Sequence, residues 1–333
     1  MSQNIYHNGE NSLAHLELLS KFLKPLSIYY FADGYRSTDW YNALKEHSLG
    51  AINRFLEEGL LVRPSLGELM EYKFKIPDLK KLCAEKGLPV SGKKADLINR
   101  LINSDEQGMQ REVSDLQVAV CSDQGKLIAQ SHLEMRKQEK QEAERSVIDC
   151  LRKREFLQAT REVAKYEANQ VFPRGLGIDW NKNSLMPNPR DTYILKLIFE
   201  DTPTIAKGAN QQQLEQLRVA AGLIHLWGSD SEAKRFLEEV ERILEKCNNL
   251  DFARMLWSSA INKYDLSEYR DLAKATGEKK YKIEILTAND EYVCDACKRL
   301  AKKKYPLFGD VPELPHPGCS HACRCGYSLD IGY

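Results

Sequence analysis

FKIPDLKKLCAEKGLPVSGKKADLINRLI, residues 74–102, decides how the chain is read. Leu79, Leu82 and Cys83 recur at helical spacing, with Lys80, Lys81, Glu85 and Lys86 on the wet side. Gly87 falls where a helix C-terminus takes a left-handed residue, and Pro89 then forbids continuation. The spacing predicts a second helix from about Lys93 that buries Leu97, Ile98 and Leu101. Its free N–H groups and positive dipole end face Ser91, Gly92, Lys93 and Lys94, an anion site with two lysines beside it. From Glu71 to Arg100 stand Lys73, Lys75, Lys80, Lys81, Lys86, Lys93, Lys94 and Arg100. Against them are only Glu71, Asp78, Glu85 and Asp96, an excess of four positive charges in a chain of zero formal net charge.

The GLPVSGKKADLI core at residues 87–98 resembles the SAP family, a helix–turn–helix-like module that binds duplex DNA. The resemblance covers residues 71–103. It implies that Lys80, Lys81, Ser91, Gly92, Lys93, Lys94 and Arg100 meet the phosphates of double-stranded DNA. A plain helical hairpin packed on a neighbour would need no lysines in its turn.

At 333 residues the chain has room for two or three domains. Hydrophobic residues make up 42% and charged residues 29%, which suits folded, helix-rich cores. The neutral balance argues against a protein that coats DNA, so a nucleic-acid surface must be a local patch. The N-terminus carries no basic-then-apolar signal pattern, and no run of about 18 apolar residues occurs. The expectation is a cytoplasmic protein (nucleoid-associated in a bacterium) with no membrane contact.

The fold class expected is mainly α and multidomain, ending in a small α+β module. Residues 1–70 read as an N-terminal helical region, 71–103 as the SAP-like module, and 104–171 as a linker and long helix. Residues 191–277 read as a helical domain and 278–333 as a metal-binding module. Leu13, Leu16, Leu18, Leu19, Phe22 and Leu23 give one apolar stripe, and a helix after Leu49 closes at Gly59. Residues 104–130 read as a helix, although Leu116, Val118 and Val120 alternate as in a short strand. From Ser131 to Tyr166 there is neither Gly nor Pro, which predicts one long helix. Residues 172–190 form a loop or linker in which Trp180 is expected to anchor on a neighbouring core. Helices are predicted at about 191–207, 210–227, 231–247, 251–263 and 266–275. Asp230 and Asp251 are read as N-caps, and Gly228 and Gly277 as stops. Tyr281, Ile283 and Ile285 alternate with charges as a strand does.

Cys83, Cys121, Cys150 and Cys247 are scattered and read as small buried residues or free thiols. Cys294, Cys297, Cys319, Cys323 and Cys325 crowd the tail, which in a cytosolic chain points to metal. Cys294-Asp-Ala-Cys297 has the spacing of a knuckle, in which both thiolates reach one ion. The second half comes from His316, Cys319, Cys323 and Cys325, with His321 nearby. Either Cys319 with Cys323, or His316 with one cysteine of the Cys323-Arg324-Cys325 turn, completes a tetrahedral Zn2+ site. Zinc is favoured over an iron–sulfur cluster. His225 is read as an ordinary core or surface histidine, and His132 and His47 as solvated. The tail also resembles the C-terminal segment of the minor head protein family of tailed phages, through its C-x-x-C knuckle and later His316-Pro317-Gly318-Cys319 and Cys323-Arg324-Cys325 elements.

Thiolate-rich sites favour structure over catalysis. The sequence holds no Gly-rich phosphate loop, no His-Glu-x-x-His helix and no convincing nuclease carboxylate–lysine set. Glu284, Asp290 and Glu291 read as solvated charges at a strand end, and Lys298, Arg299, Lys302, Lys303 and Lys304 as a basic face. Three readings result. The first is a noncatalytic DNA-binding protein whose zinc module also meets DNA or a protein partner. The second is a DNA-processing, nuclease-like enzyme with its site in the C-terminal half. The third is a phage-derived head or portal protein.

Overall fold

A computed structural model describes residues 12–23, 37–116, 118–178, 187–243, 247–278, 280–288, 290–319 and 321–331. Among them are fourteen α-helices and two small sheets, so the chain is mainly α. It divides into two compact units, Met1–Gln138 and Glu139–Tyr333. No described helix is long and apolar enough to cross a membrane.

In the first unit, helices α1 (Leu13–Ser20), α2 (Ser37–Leu44) and α3 (Ser48–Glu57) bury Leu18, Leu19, Phe22, Ile52 and Phe55. Gly59, at φ +70°, ends α3 as its position predicted. Strand β1 (Leu61–Val62) follows. Helices α4 (Leu66–Lys73), α5 (Ile76–Glu85), α6 (Lys94–Ser104) and α7 (Glu106–Glu112) then close on one small core. Met70, Leu79, Cys83, Leu97, Ile98, Leu101, Met109 and Val113 fill it. Strand β2 (Val120–Cys121) pairs antiparallel with β1, Leu61 opposite Cys121. The helix expected over 104–130 is therefore α7, a two-residue strand and the start of α8 (Asp123–Arg152). Of the alternating residues only Val120 lies in the strand, which pairs with β1; Leu116 and Val118 lie in irregular chain before it. Gly125 lets α8 begin against that ladder: a Cβ there would sit 2.0 Å from the Leu60 carbonyl oxygen. His132, expected in solvent, is buried on α8 with its Nε2 3.2 Å from Glu17 Oε2. The His132 hydrogen bond holds the Glu17 carboxyl at about 2 against the upward push of burial.

The uninterrupted helix expected through Tyr166 is two, because α8 stops at Arg152 and α9 spans Phe156–Ala168. Arg154 takes φ +64° at the break, and the Glu155 N–H closes on the Cys150 carbonyl at 2.9 Å. Tertiary contacts fix it: the Arg154 guanidinium pairs with Glu215 at 2.7 Å and lies 4.4 Å from the Phe199 ring centroid. Helices α10 (Pro189–Glu200), α11 (Gln211–Trp227), α12 (Ser231–Leu237) and α13 (Asn249–Thr276) follow. The two helices expected over 251–263 and 266–275 are one, α13, since neither Gly nor Pro interrupts it. Its cap is Asn248, whose Oδ1 accepts from the Asp251 N–H at 2.8 Å, so Asp251 is not the cap. Conversely, the helix expected over 231–247 is only α12. Gly228 and Gly277 stop α11 and α13 in left-handed conformations. Trp180 lies outside the described residues.

Helix α11 is buried almost all round, and Trp227 at its end is fully covered, which places it at the centre of the second unit. Strand β3 (Lys282–Leu286), helix α14 (Asp295–Leu300) and strands β4 (Lys304–Pro306) and β5 (Gly326–Asp330) form the tail. The antiparallel sheet runs β4-β3-β5. Ile283, Ile285 and Tyr327 join the same core as the helices, so the tail packs on this helical unit.

Glu232 lies buried at the start of α12 and accepts hydrogen bonds from Ser229 Oγ (2.5 Å) and Ser231 Oγ (2.8 Å), with Lys140 Nζ at 2.7 Å. Burial pushes its carboxyl up, but Lys140, Ser229 and Ser231 outweigh burial and hold it at about 2. The folded value lies below the unfolded one, so this contribution is complete above about pH 4.5 and is lost as pH falls toward 2. Glu232→Gln should cost about 1–3 kcal/mol near neutral pH and much less at about pH 3. Urea unfolding at both pH values checks this. An equal cost at both would show that Lys140 does not hold the carboxylate.

Candidate nucleic-acid interface and metal centre

The two sites lie in different units and are built by different means. In the first unit, Gly87 at φ +68° ends α5, and the Leu88 N–H returns to the Cys83 carbonyl at 2.8 Å. The chain then runs through Pro89, Val90, Ser91 and Gly92 to α6. Gly92 holds φ +120°, and a Cβ there would lie 3.0 Å from Asp96 Oδ2. The Asp96 carboxylate accepts from the Lys93 N–H at 2.8 Å. The N–H groups of Lys94, Ala95 and Asp96 make no hydrogen bond among the described residues, as the first turn of a helix requires. An anion at this end would meet those donors.

The seven residues predicted to face DNA divide into two groups. Lys80, Lys81, Ser91, Gly92 and Lys93 are exposed. Lys80 and Lys93 make no ion pair among the described residues, and Lys81 has only Glu85 at 4.0 Å. Arg100 and Lys94 turn inward instead. The Arg100 guanidinium donates to the carbonyls of Pro89 and Ser91, the latter at 3.1 Å, and thereby staples the turn. Lys94 Nζ donates to the Glu71 carbonyl at 2.5 Å, tying α6 to α4. Lys73 and Lys86 are also engaged, with Asp115 and Asp105 at 2.7 and 2.5 Å. The excess of positive charge counted along the sequence is thus partly spent on holding the module together.

In the second unit five thiols converge. Cys294 caps α14, and its sulfur accepts from the Cys297 N–H at 3.4 Å, the contact expected of a knuckle. Cys294 and Cys319 sulfurs are 3.5 Å apart, Cys297 and Cys319 3.8 Å, and Cys297 and Cys323 4.0 Å. The edge of a tetrahedron of sulfurs about 2.3 Å from a central zinc is about 3.8 Å. Ligand atoms lie within 4.8 Å of one another in two sets, Cys294–Cys297–Cys319 and Cys297–Cys323–Cys325, which share Cys297. His316 is not part of either set; its Nδ1 accepts from the Gly318 N–H at 3.0 Å and shapes the turn before Cys319. His321 lines the mouth of the cavity over the thiols.

Cys297 and Cys319 are buried, Cys294 half-buried. The Cys297 thiol is held far below its ordinary value by hydrogen bonds from Cys319, Cys323 and Cys325. Cys319 and Cys325 are pushed up by their hydrogen bonds to Cys297. The Cys323 thiol is lowered as well, so the cluster favours negative charge on its sulfurs, and a cation bound there would release protons from the thiols.

Sequence reasoning missed Asn262, a buried residue of α13 that donates to the Cys325 carbonyl at 3.3 Å and to the Ser258 carbonyl at 2.8 Å. A lone Asn in a helix gives no signal of a partner 63 residues away. It also missed that two of the three acidic residues near the knuckle are paired. Glu284 pairs with Lys304 at 2.5 Å, and Asp290 pairs with Arg324.

Cys83, Cys121, Cys150 and Cys247 are buried apart from this cluster, and burial pushes the Cys121 thiol up to about 11.

Compared with known proteins, the chain matches no curated protein and no solved structure. The family model of the SAP domain does match it, over residues 73–106, about a tenth of its length. Helices α5 and α6, with the turn between them, are thus similar to a SAP domain, and that segment points to DNA binding.

Proposed function

We propose that the protein anchors on double-stranded DNA through its SAP segment and carries a structural zinc site in its second unit. The observation that carries the first part is the unfilled N-terminus of α6, presented by a stapled turn beside exposed Lys93 and Ser91. Backbone donors, a helix dipole and a lysine in one place suit a phosphate and read no base. Lys80 and Lys81 on α5 add charge that is free to meet phosphate. Arg100 acts by holding the turn.

Cys294, Cys297, Cys319 and Cys323 are the four ligands we assign to Zn2+: Cys294, Cys297 and Cys319 lie together, Cys323 is 4.0 Å from Cys297, and binding the ion would draw Cys323 in toward the other two. Cys325 then lies outside the shell, with its thiol toward Cys297 and Cys323. Such a site is closed, so the ion would join the two halves of the tail and supply no reaction. That arrangement, with Glu284 and Asp290 already paired, supports a binding protein over a nuclease. The spacing of the thiols also keeps the phage minor head reading as a setting for the same anchor, on packaged DNA. Co-sedimentation with assembled particles would separate that setting from free DNA.

Lys93→Ala with Lys94→Ala should weaken duplex binding and flatten the log–log salt dependence by about 1–2. Anisotropy titrations across a salt series measure both, and unchanged binding would remove the SAP segment from the function. Purified protein should contain one zinc per chain by elemental analysis. Cys297→Ser should abolish it, while Cys325→Ser should leave it bound. Zinc lost with Cys325 and kept without Cys323 would reverse the assignment of the fourth ligand.

A further inference from the structure

Tyr292 is 61% exposed, two residues before the first thiol of the metal centre. Arg324, between Cys323 and Cys325, places its guanidinium 5.8 Å from the Tyr292 ring centroid and pairs with Asp290. Each half of the centre thus supplies one partner of this pair. On the same segment, the fold treats five cations unequally. Lys304 is held by Glu284 at 2.5 Å and Asp330 at 2.8 Å. Lys298 has only Asp295 at 4.0 Å, and Arg299, Lys302 and Lys303 have no ion pair among the described residues. All four are exposed.

We propose that Tyr292 with Arg324, and Lys298, Arg299, Lys302 and Lys303 on the segment between them, form a binding surface for single-stranded DNA. Its Tyr292–Arg324 part rests on the metal centre proposed above. An exposed ring flanked by a guanidinium accepts the face of an unpaired base, and duplex stacking hides that face. Lys298 and Arg299 lie on α14 (Asp295–Leu300), about 9 Å long, and Lys302 and Lys303 follow just past its end. Phosphates along a stacked strand recur at about 3.4 Å, so the basic run matches two or three of them. The helix is too short to read a groove as recognition helices do. The surface belongs to the second unit and needs nothing from α6.

The full-length chain carrying Lys93→Ala and Lys94→Ala, which weakens the first unit, is titrated with a labelled single strand of about 20 nucleotides and with the matching duplex. Zinc content is measured for every variant. The single strand should still bind. Tyr292→Ala should weaken it about five-fold or more, while Tyr292→Phe should not. Arg299→Ala, Lys302→Ala and Lys303→Ala together should lower the salt slope by about 2 with zinc retained. Chelation should weaken single-strand binding as Tyr292→Ala does. Three results would overturn the proposal: no binding by the zinc-loaded Lys93/Lys94 variant, unchanged affinity in Tyr292→Ala, or loss of zinc in the triple variant. The last would assign those cations to balancing the thiolates. A parent chain without zinc overturns the metal reading instead. Loss of duplex binding alone bears only on the SAP segment.

Discussion

Thiolates this close repel one another, and that repulsion governs the end of the chain. With sulfurs 3.5–4.0 Å apart, the cluster must hold either protons or a cation, and Cys297 belongs to both overlapping triplets. The tail around it has little else to rely on: three strands of five, three and five residues and a helix of six. So small an assembly buries too little apolar surface to stand alone. It gains the rest from α13, where Asn262 takes the Cys325 carbonyl, Tyr269 the Tyr327 carbonyl and Arg270 the Leu307 carbonyl.

The SAP segment meets the same shortage of core by another route. Two helices of ten and eleven residues could bury only Leu79, Cys83, Leu97, Ile98 and Leu101 between them. Met70 from α4 and Met109 and Val113 after it complete the cluster. Ser65 starts α4 with a capping box, its Oγ accepting from the Glu68 N–H while Glu68 returns to the Ser65 N–H. The module is thus larger than the matched residues, because its neighbours provide walls.

Features written in local spacing were legible beforehand. Helices α5 and α6, the stop at Gly87, the strand at Ile283 and Ile285, and the Cys294–Cys297 knuckle each follow from residues within a few positions. What was not legible depends on distant partners. The break at Arg154 has no Gly or Pro to announce it and is fixed by Glu215 and Phe199. The expected break between 263 and 266 has no counterpart, since α13 runs through it without Gly or Pro, and its cap is Asn248 rather than Asp251. His132 has no sequence mark of burial, which comes from Glu17 far along the chain. Of the site residues, the pattern identified which types gather, but it could not tell that Arg100 and Lys94 face inward or that His316 stands outside both thiol triplets.

The inward turn of Arg100 and Lys94 has a kinetic consequence. A module that keeps two of its cations for its own turn grips few phosphates, and each phosphate released shortens residence on the duplex. Association stays fast because the charge is still nearby, so exchange between sites is rapid. If the chain anchors on DNA as proposed, it would visit many positions and dwell at none of them for long.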